Sequence, residues 1–158
     1  LGNINLEATP SRLRPPRLPP WYPDILVVSV YLAEFEKNRQ VKGIYQLKNA
    51  IEDAVISSNH NSRPLIYIAG DFNGANIYPL TNQLQLQQLN KTATRGERCL
   101  DLILTNAPSC YVSETWPELG SSDHKTVVST PRATSYKELL PETEIKLVRS
   151  GKIDDKDL

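Results

Sequence analysis

Two apolar, β-branched runs constrain what this chain can fold into. Ile25–Leu32 reads ILVVSVYL and Leu65–Ala69 reads LIYIA. Both are shorter than an ordinary helix and too apolar for a surface loop, so each is predicted to be a strand with buried side chains. Between them Val41, Ile44, Leu47, Ile51 and Val55 recur at helical spacing, with Lys42, Lys48, Glu52 and Asp53 on the other sides. That spacing predicts an amphipathic helix over 41–58. A turn cluster, Asn59–Pro64, separates it from the second strand, which Gly70 closes. Further on, Cys99–Thr105, Tyr111–Thr115 and Thr126–Thr130 read as three more strands. Residues 80–91 fit a short helix or a partly alternating strand equally well. Strand, helix, strand and then a run of strands is the pattern of a layered α/β or α+β domain.

Composition sets the outer limits. A length of 158 residues suits one domain. No apolar run approaches the roughly 18 residues of a membrane span, and no signal peptide is readable. Two cysteines, Cys99 and Cys110, are too few for a disulfide framework and fit a reducing compartment. Lys plus Arg and Asp plus Glu are both 18, which excludes a histone-like binder held by bulk charge. A nucleic-acid enzyme is not excluded, because acidic catalytic groups can cancel basic ones. Residues 1–23 hold six of the twelve prolines, with Arg12, Arg14 and Arg17 among them. They are expected to be an extended or irregular lead-in, not helix or central strand. The domain is expected over 24–131. Residues 132–158 are expected to be a charged linker or tail, since five basic and six acidic residues follow from Lys137 onward. The chain has no Met and opens on Leu1, so it is expected not to start at a natural initiation site.

The chemistry is concentrated at strand ends. Gly70-Asp71-Phe72-Asn73 follows LIYIA directly. Asp71 and Asn73 are two apart and can face one way on an extended segment. A carboxylate that accepts a water proton beside an amide that donates to an anionic oxygen suits attack of water on a phosphoester. A plain Gly-Asp turn accounts for the same residues. Ser121-Ser122-Asp123-His124 precedes the last strand. His124 is one of two histidines; His60 lies in a polar turn. Asp101 sits inside the apolar run CLDLILT, where an unpaired buried carboxylate would be costly. If its strand neighbours 126–130, Asp101 reaches His124 and fixes the ring's tautomer; otherwise it points to solvent. The triplet Asn90-Lys91-Thr92 matches a glycosylation sequon and carries little weight.

Taken together, strand–GDFN, TRGERCLDLILTN and LGSSDHKTVV resemble the endonuclease/exonuclease/phosphatase superfamily, whose fold is that of deoxyribonuclease I. The form of these motifs is most similar to the apurinic-type endonuclease domain of non-long-terminal-repeat retrotransposons, and the Tyr31-bearing strand ahead of GDFN matches that group too. The resemblance covers roughly residues 25–130. It implies a four-layer α/β sandwich of two mostly antiparallel sheets flanked by helices, and Mg²⁺-dependent (or Mn²⁺-dependent) hydrolysis of a phosphodiester in DNA. It implies that Asp71 positions or deprotonates the attacking water and that Asn73 donates to the phosphate. His124 would contact the scissile phosphate or act as acid and base, and Asp101 would orient it. Asp123 would lie near the metal, and Tyr31 would contact the phosphate. A covalently linked reverse transcriptase, a nuclear location and no membrane are implied for the parent element.

The family also carries an Asn and a metal-binding Glu on strands upstream of the Tyr. Asn3, Asn5 and Glu7 do not supply these motifs. The expectation is therefore a domain whose front part is missing and which lacks its metal anchor, so that the isolated chain has uncovered apolar strand faces, dissolves poorly and shows no Mg²⁺-dependent nicking. Glu34, Glu36 and Asp123 are the carboxylates that would take over the metal. A non-catalytic remnant and a phosphatase of the same superfamily are the alternatives. TRGERCLDLILTN argues against the phosphatase, because that form is typical of the retroelement group.

Overall fold

The computed structural model describes residues 6–14, 18, 21–33, 37–57 and 62–132. Ten elements reduce to two sheets and one long helix. In chain order the strands are β1 (Leu6–Leu13), β2 (Ile25–Leu32), β3 (Leu65–Asp71), β4 (Gln87–Gln88), β5 (Asp101–Thr105), β6 (Tyr111–Glu118) and β7 (Lys125–Pro131), with helix α1 (Lys37–Ile56) between β2 and β3. The larger sheet has the order β1-β2-β3-β5-β4, and β6 and β7 form a separate antiparallel hairpin. Within the larger sheet only β2 and β3 run parallel, joined through α1. Its other pairings are antiparallel. The layered α/β class expected from the sequence, with two mostly antiparallel sheets, is the one formed.

The core lies between the larger sheet and α1. Leu26, Val28, Val30 and Leu32 alternate along β2 toward the helix, as do Ile66 and Ile68 on β3 and Leu102 and Leu104 on β5. Ile44, Leu47 and Ile51 of α1 meet them, all nearly inaccessible to solvent. Burying side chains of this size stabilises by about 1.5–3 kcal/mol each. Val41, assigned to the buried face by its spacing, is exposed, and the helix begins four residues earlier, at Lys37. The region 80–91 resolves both ways: Pro79–Gln83 makes one π-type turn, and Gln87–Gln88 pairs with β5.

The other face of the larger sheet carries the alternate residues: Tyr31 on β2, Tyr67 and Asp71 on β3, Asp101, Ile103 and Thr105 on β5. Ile103 and Thr105 are buried there. The hairpin docks on this face through Tyr111, whose ring centroid lies 5.3 Å from that of Tyr67 at a 57° tilt.

Part of the lead-in is not irregular. β1 pairs with β2 along its whole length, from Leu6 opposite Leu32 to Leu13 opposite Ile25. This segment is extended and not central, as expected, and β1 lies at the edge of the sheet: Pro10 lacks an N–H, but an outer strand leaves half of its backbone groups without a sheet partner anyway. The expected tail lies outside the described residues from 133 onward, as do His60, Glu34 and Glu36. Among the described residues no helix is long and apolar enough to cross a membrane, and both cysteines are free thiols.

Candidate active site

Gly70 explains how β3 delivers Asp71. At φ +156° its backbone is closed to most side chains, and a Cβ there would overlap the carbonyl oxygen of Val30. The absence of a side chain lets β2 and β3 press together just before the acidic residue. Asp71 then stands in register with Tyr31 on one side and Asp101 on the other. After it the chain turns back: Asn73 takes φ +46°, a conformation that Asn tolerates better than most residues.

That turn is closed by the side chains themselves. The Asn73 N–H donates to Asp71 Oδ1 at 2.9 Å. Asn73 Nδ2 donates to Asp71 Oδ2 at 3.2 Å and to the Leu32 carbonyl at 3.0 Å. Gln40 of α1 reaches the Asn73 carbonyl at 3.3 Å. Asn73 is buried, and its amide donors are committed to Asp71 and Leu32. This differs from the expected donation to a phosphate, because the positive φ folds the side chain back over the strand end it has just left.

Asp101 opens β5 on the face that the hairpin covers, and His124 immediately precedes β7. Their atoms Oδ2 and Nδ1 lie 2.8 Å apart. An ionised carboxylate only accepts hydrogen bonds, so Nδ1 is the protonated ring nitrogen and Nε2 is the one left to act on another molecule. The His124 backbone N–H is held by Ser122 Oγ at 3.0 Å. One donor atom each from Asp71, Asp101 and His124 falls within 4.8 Å of the others. Three residues separated by up to 53 positions thus meet at the ends of strands from both sheets. Asp101 faces neither solvent alone nor an apolar wall: its side chain is about three-quarters covered and paired.

One predicted residue stands apart from that group. Asp123 turns its carboxylate away to Arg95, at 2.7 Å, and both side chains are largely exposed. Adjacent residues leave the backbone in different directions, so a chain that aims His124 inward sends Asp123 outward. Tyr31 is in register with Asp71 on the same face of the sheet and is about half exposed.

Three polar residues to which the sequence assigns no structural part hold β5 in place. Asn90, 4% exposed, gives Nδ2 to the Asp101 carbonyl at 2.7 Å and accepts the Ile103 N–H at 2.8 Å. Its amide replaces a neighbouring strand where β4 has ended, and it is not available to a glycan. Asn106 does the same at the other end, accepting from Ile66 N–H and donating to Pro64. Thr94 accepts from both Leu100 and Asp101. The signal for all three was weak: each is a polar residue flanking a strand, which local sequence cannot tell from a loop residue. Cys99, beside Asn90, has its thiol pushed above the usual range by burial and by the Asp101 charge, which keeps it protonated and unreactive.

No protein-family model matches the chain, and no curated protein sequence matches it. Solved structures are similar to it. A mannosyl-6-phosphatase of Bacteroides thetaiotaomicron is 15% identical with a TM-score of 0.49, covering 68% of this chain and 51% of that one. An endonuclease/exonuclease/phosphatase family protein from the same organism is 13% identical with a TM-score of 0.47, covering 66% and 49%. A functionally unknown conserved protein from Enterococcus faecalis is 17% identical with a TM-score of 0.46, covering 69% and 51%. The chain spans about half the length of these structures. At such identities and TM-scores the likeness carries no inference about chemistry.

Proposed function

We propose that this chain is a phosphoesterase-type hydrolase whose substrate is a phosphodiester of DNA, nicked in the manner of the retrotransposon endonucleases its motifs resemble. The observation that carries the reading is the Asp101–His124 pair at 2.8 Å with the Asp71 carboxylate beside both. A turn or surface loop has no need to bring a histidine and two carboxylates from three separate strand ends together.

Each residue then has a part. Asp101 holds His124 in one tautomer, so that Nε2 faces the phosphate and can accept or return a proton. Asp71 keeps lone pairs free after accepting from Asn73, since a carboxylate offers about four acceptor positions, and these orient the attacking water. Asn73 acts through Asp71 by fixing its rotamer. The Tyr31 hydroxyl would donate to a phosphate oxygen.

The donor set fits a divalent cation. Mg²⁺ is a hard ion, usually held by one or two carboxylates with water and substrate phosphate completing the shell. Asp71 and Asp101 are the carboxylates that would hold Mg²⁺ or Mn²⁺ here, while Asp123 is occupied by Arg95. A bound ion would polarise the phosphoryl group and offset the like charges of the two aspartates. In the parent element this activity would be joined to a reverse transcriptase.

The test is supercoiled plasmid incubated with the purified chain in Mg²⁺, in Mn²⁺ and in EDTA, with inositol phosphate as a parallel substrate. Relaxed circles in metal and none in EDTA are expected. No nicking in either metal rejects the reading, and phosphate release from the inositol phosphate alone would move the chain to the phosphomonoesterases.

A further inference from the structure

Thr94 opens the segment TRGERCLDLILTN and lies outside every strand, yet it is completely buried. Its hydroxyl oxygen accepts two backbone N–H groups, those of Leu100 at 3.0 Å and Asp101 at 3.1 Å. Its own N–H donates to the Arg98 carbonyl at 2.9 Å, closing the tight turn 94–98. Its carbonyl accepts the Lys125 N–H at 2.7 Å. Lys125 directly follows His124, and Asp101 is His124's partner. One residue therefore bonds to the backbone on both arms of the pair, although those arms belong to different sheets.

The reason lies in the sheet. β5 begins at Asp101, and β4 reaches only to Leu104, so nothing of the ladder serves the amides of Leu100 and Asp101 on the outer side. A buried N–H without an acceptor is costly. A hydroxyl accepts through two lone pairs, and Thr94 supplies both bonds from one atom. We propose that Thr94 is a positioning residue that sets the distance and orientation between Asp101 and His124, so that the imidazole keeps its proton on Nδ1. The inference rests on the phosphoesterase reading for its consequence in rate. Displacement of a catalytic group by about 1 Å can cost a hundredfold in rate.

The experiment compares Thr94→Ser with Thr94→Ala in the full 158-residue chain. Both lose the methyl group, and only alanine also loses the acceptor. The first readout is the ¹⁵N spectrum of the histidine rings, with His60→Gln used to assign the signal of His124. Wild type and Thr94→Ser are expected to show one tautomer protonated on Nδ1, and Thr94→Ala a mixture with the Nε2–H form. The second readout is plasmid nicking: kcat is expected to fall roughly 10–100-fold in Thr94→Ala, the range seen when supporting shells are removed, with KM little changed and serine restoring most of the rate. A His124 spectrum in Thr94→Ala identical to wild type overturns the proposal. Should the alanine variant not fold, amide exchange in the wild type decides: slow exchange at both Leu100 and Asp101 is expected, and fast exchange at either overturns it. A wild-type chain with the Nδ1 tautomer but no phosphoesterase activity rejects the functional reading and leaves the holding role of Thr94 to be judged on the spectrum and exchange alone.

Discussion

At residue scale the decisive feature is that three weak signals become one strong one when their side chains touch. Asp101 could have pointed to solvent, and its 2.8 Å bond to His124 makes it part of a unit. Asp101→Asn keeps the shape of the side chain but presents an amide that can stabilise the other histidine tautomer. We expect it to fold normally and to lower kcat by about 10⁴-fold, the scale found when an orienting carboxylate of this kind is neutralised; urea denaturation and single-turnover nicking measure the two effects. Gly70 is the opposite case, a residue whose importance is entirely steric. Gly70→Ala drives a methyl group into the backbone of β2 at a φ that side chains avoid. A loss of about 3 kcal/mol or more is expected from strain and displacement combined, read from the urea midpoint. The sequence reading identified Gly70 as the residue that lets the chain leave the strand. It could not show that β2 passes so close.

At the scale of elements, the site exists because a separate hairpin docks on the larger sheet. Asp71 and Asp101 ride on β3 and β5, but His124 comes from the approach to β7. The Tyr67–Tyr111 contact is the described ring pair that joins these bodies. Such pairs contribute about 0.5–1.5 kcal/mol beyond the area they bury. Tyr111→Ala is therefore expected to reduce stability modestly while lowering activity more than tenfold, because His124 loses its registration over Asp101 before the core against α1 is affected. A parallel measurement of the melting temperature and of nicking would show the separation, and equal retention of both would count against the docking argument. The elements themselves were largely readable. β2, β3 and β5 were placed within two residues, and α1 was found with its N-terminus four residues late. β1 is legible only as chain that is extended or irregular, because proline in a strand is unfavourable everywhere except at an edge and a local pattern does not say which strand will be the edge.

At the scale of the whole molecule, net charge is zero and the titrating groups that the fold perturbs are weak acids. Burial raises the pKa of Cys99 above its ordinary 9.0, and of Tyr67 and Tyr22 above 10.0, with the Asp101 charge adding to the first and Cys110 to the last. Below about pH 8 these groups are protonated in both folded and unfolded chains, and their contribution to stability is constant. Above it the unfolded chain releases protons first, so the stability they leave intact at neutral pH is lost progressively until the raised folded values are passed. Unfolding free energy measured by urea should fall as the pH climbs from about 8 to about 11. A Cys99→Ser, Tyr67→Phe double variant should flatten that slope. A slope unchanged by the double variant would assign the alkaline loss to other groups.

The sequence by itself determined the period of each segment, and with it the class of fold. Alternation and helical spacing are local properties, and they name strands, helix and turn chemistry without reference to anything distant. It also supplied the residue types that a phosphoester hydrolase needs, in an order that resembles one superfamily. What only the tertiary structure decided was which of those residues share a space. Asp123 and His124 are neighbours in the chain, yet one turns to Arg95 and the other to Asp101. Asn73 and Thr94 acquired their parts only when a bent backbone brought their polar atoms to unsatisfied partners. Pairings of that kind depend on strand order and on the docking of one sheet against another, which arise from burying the whole apolar surface at once and are written in no single segment.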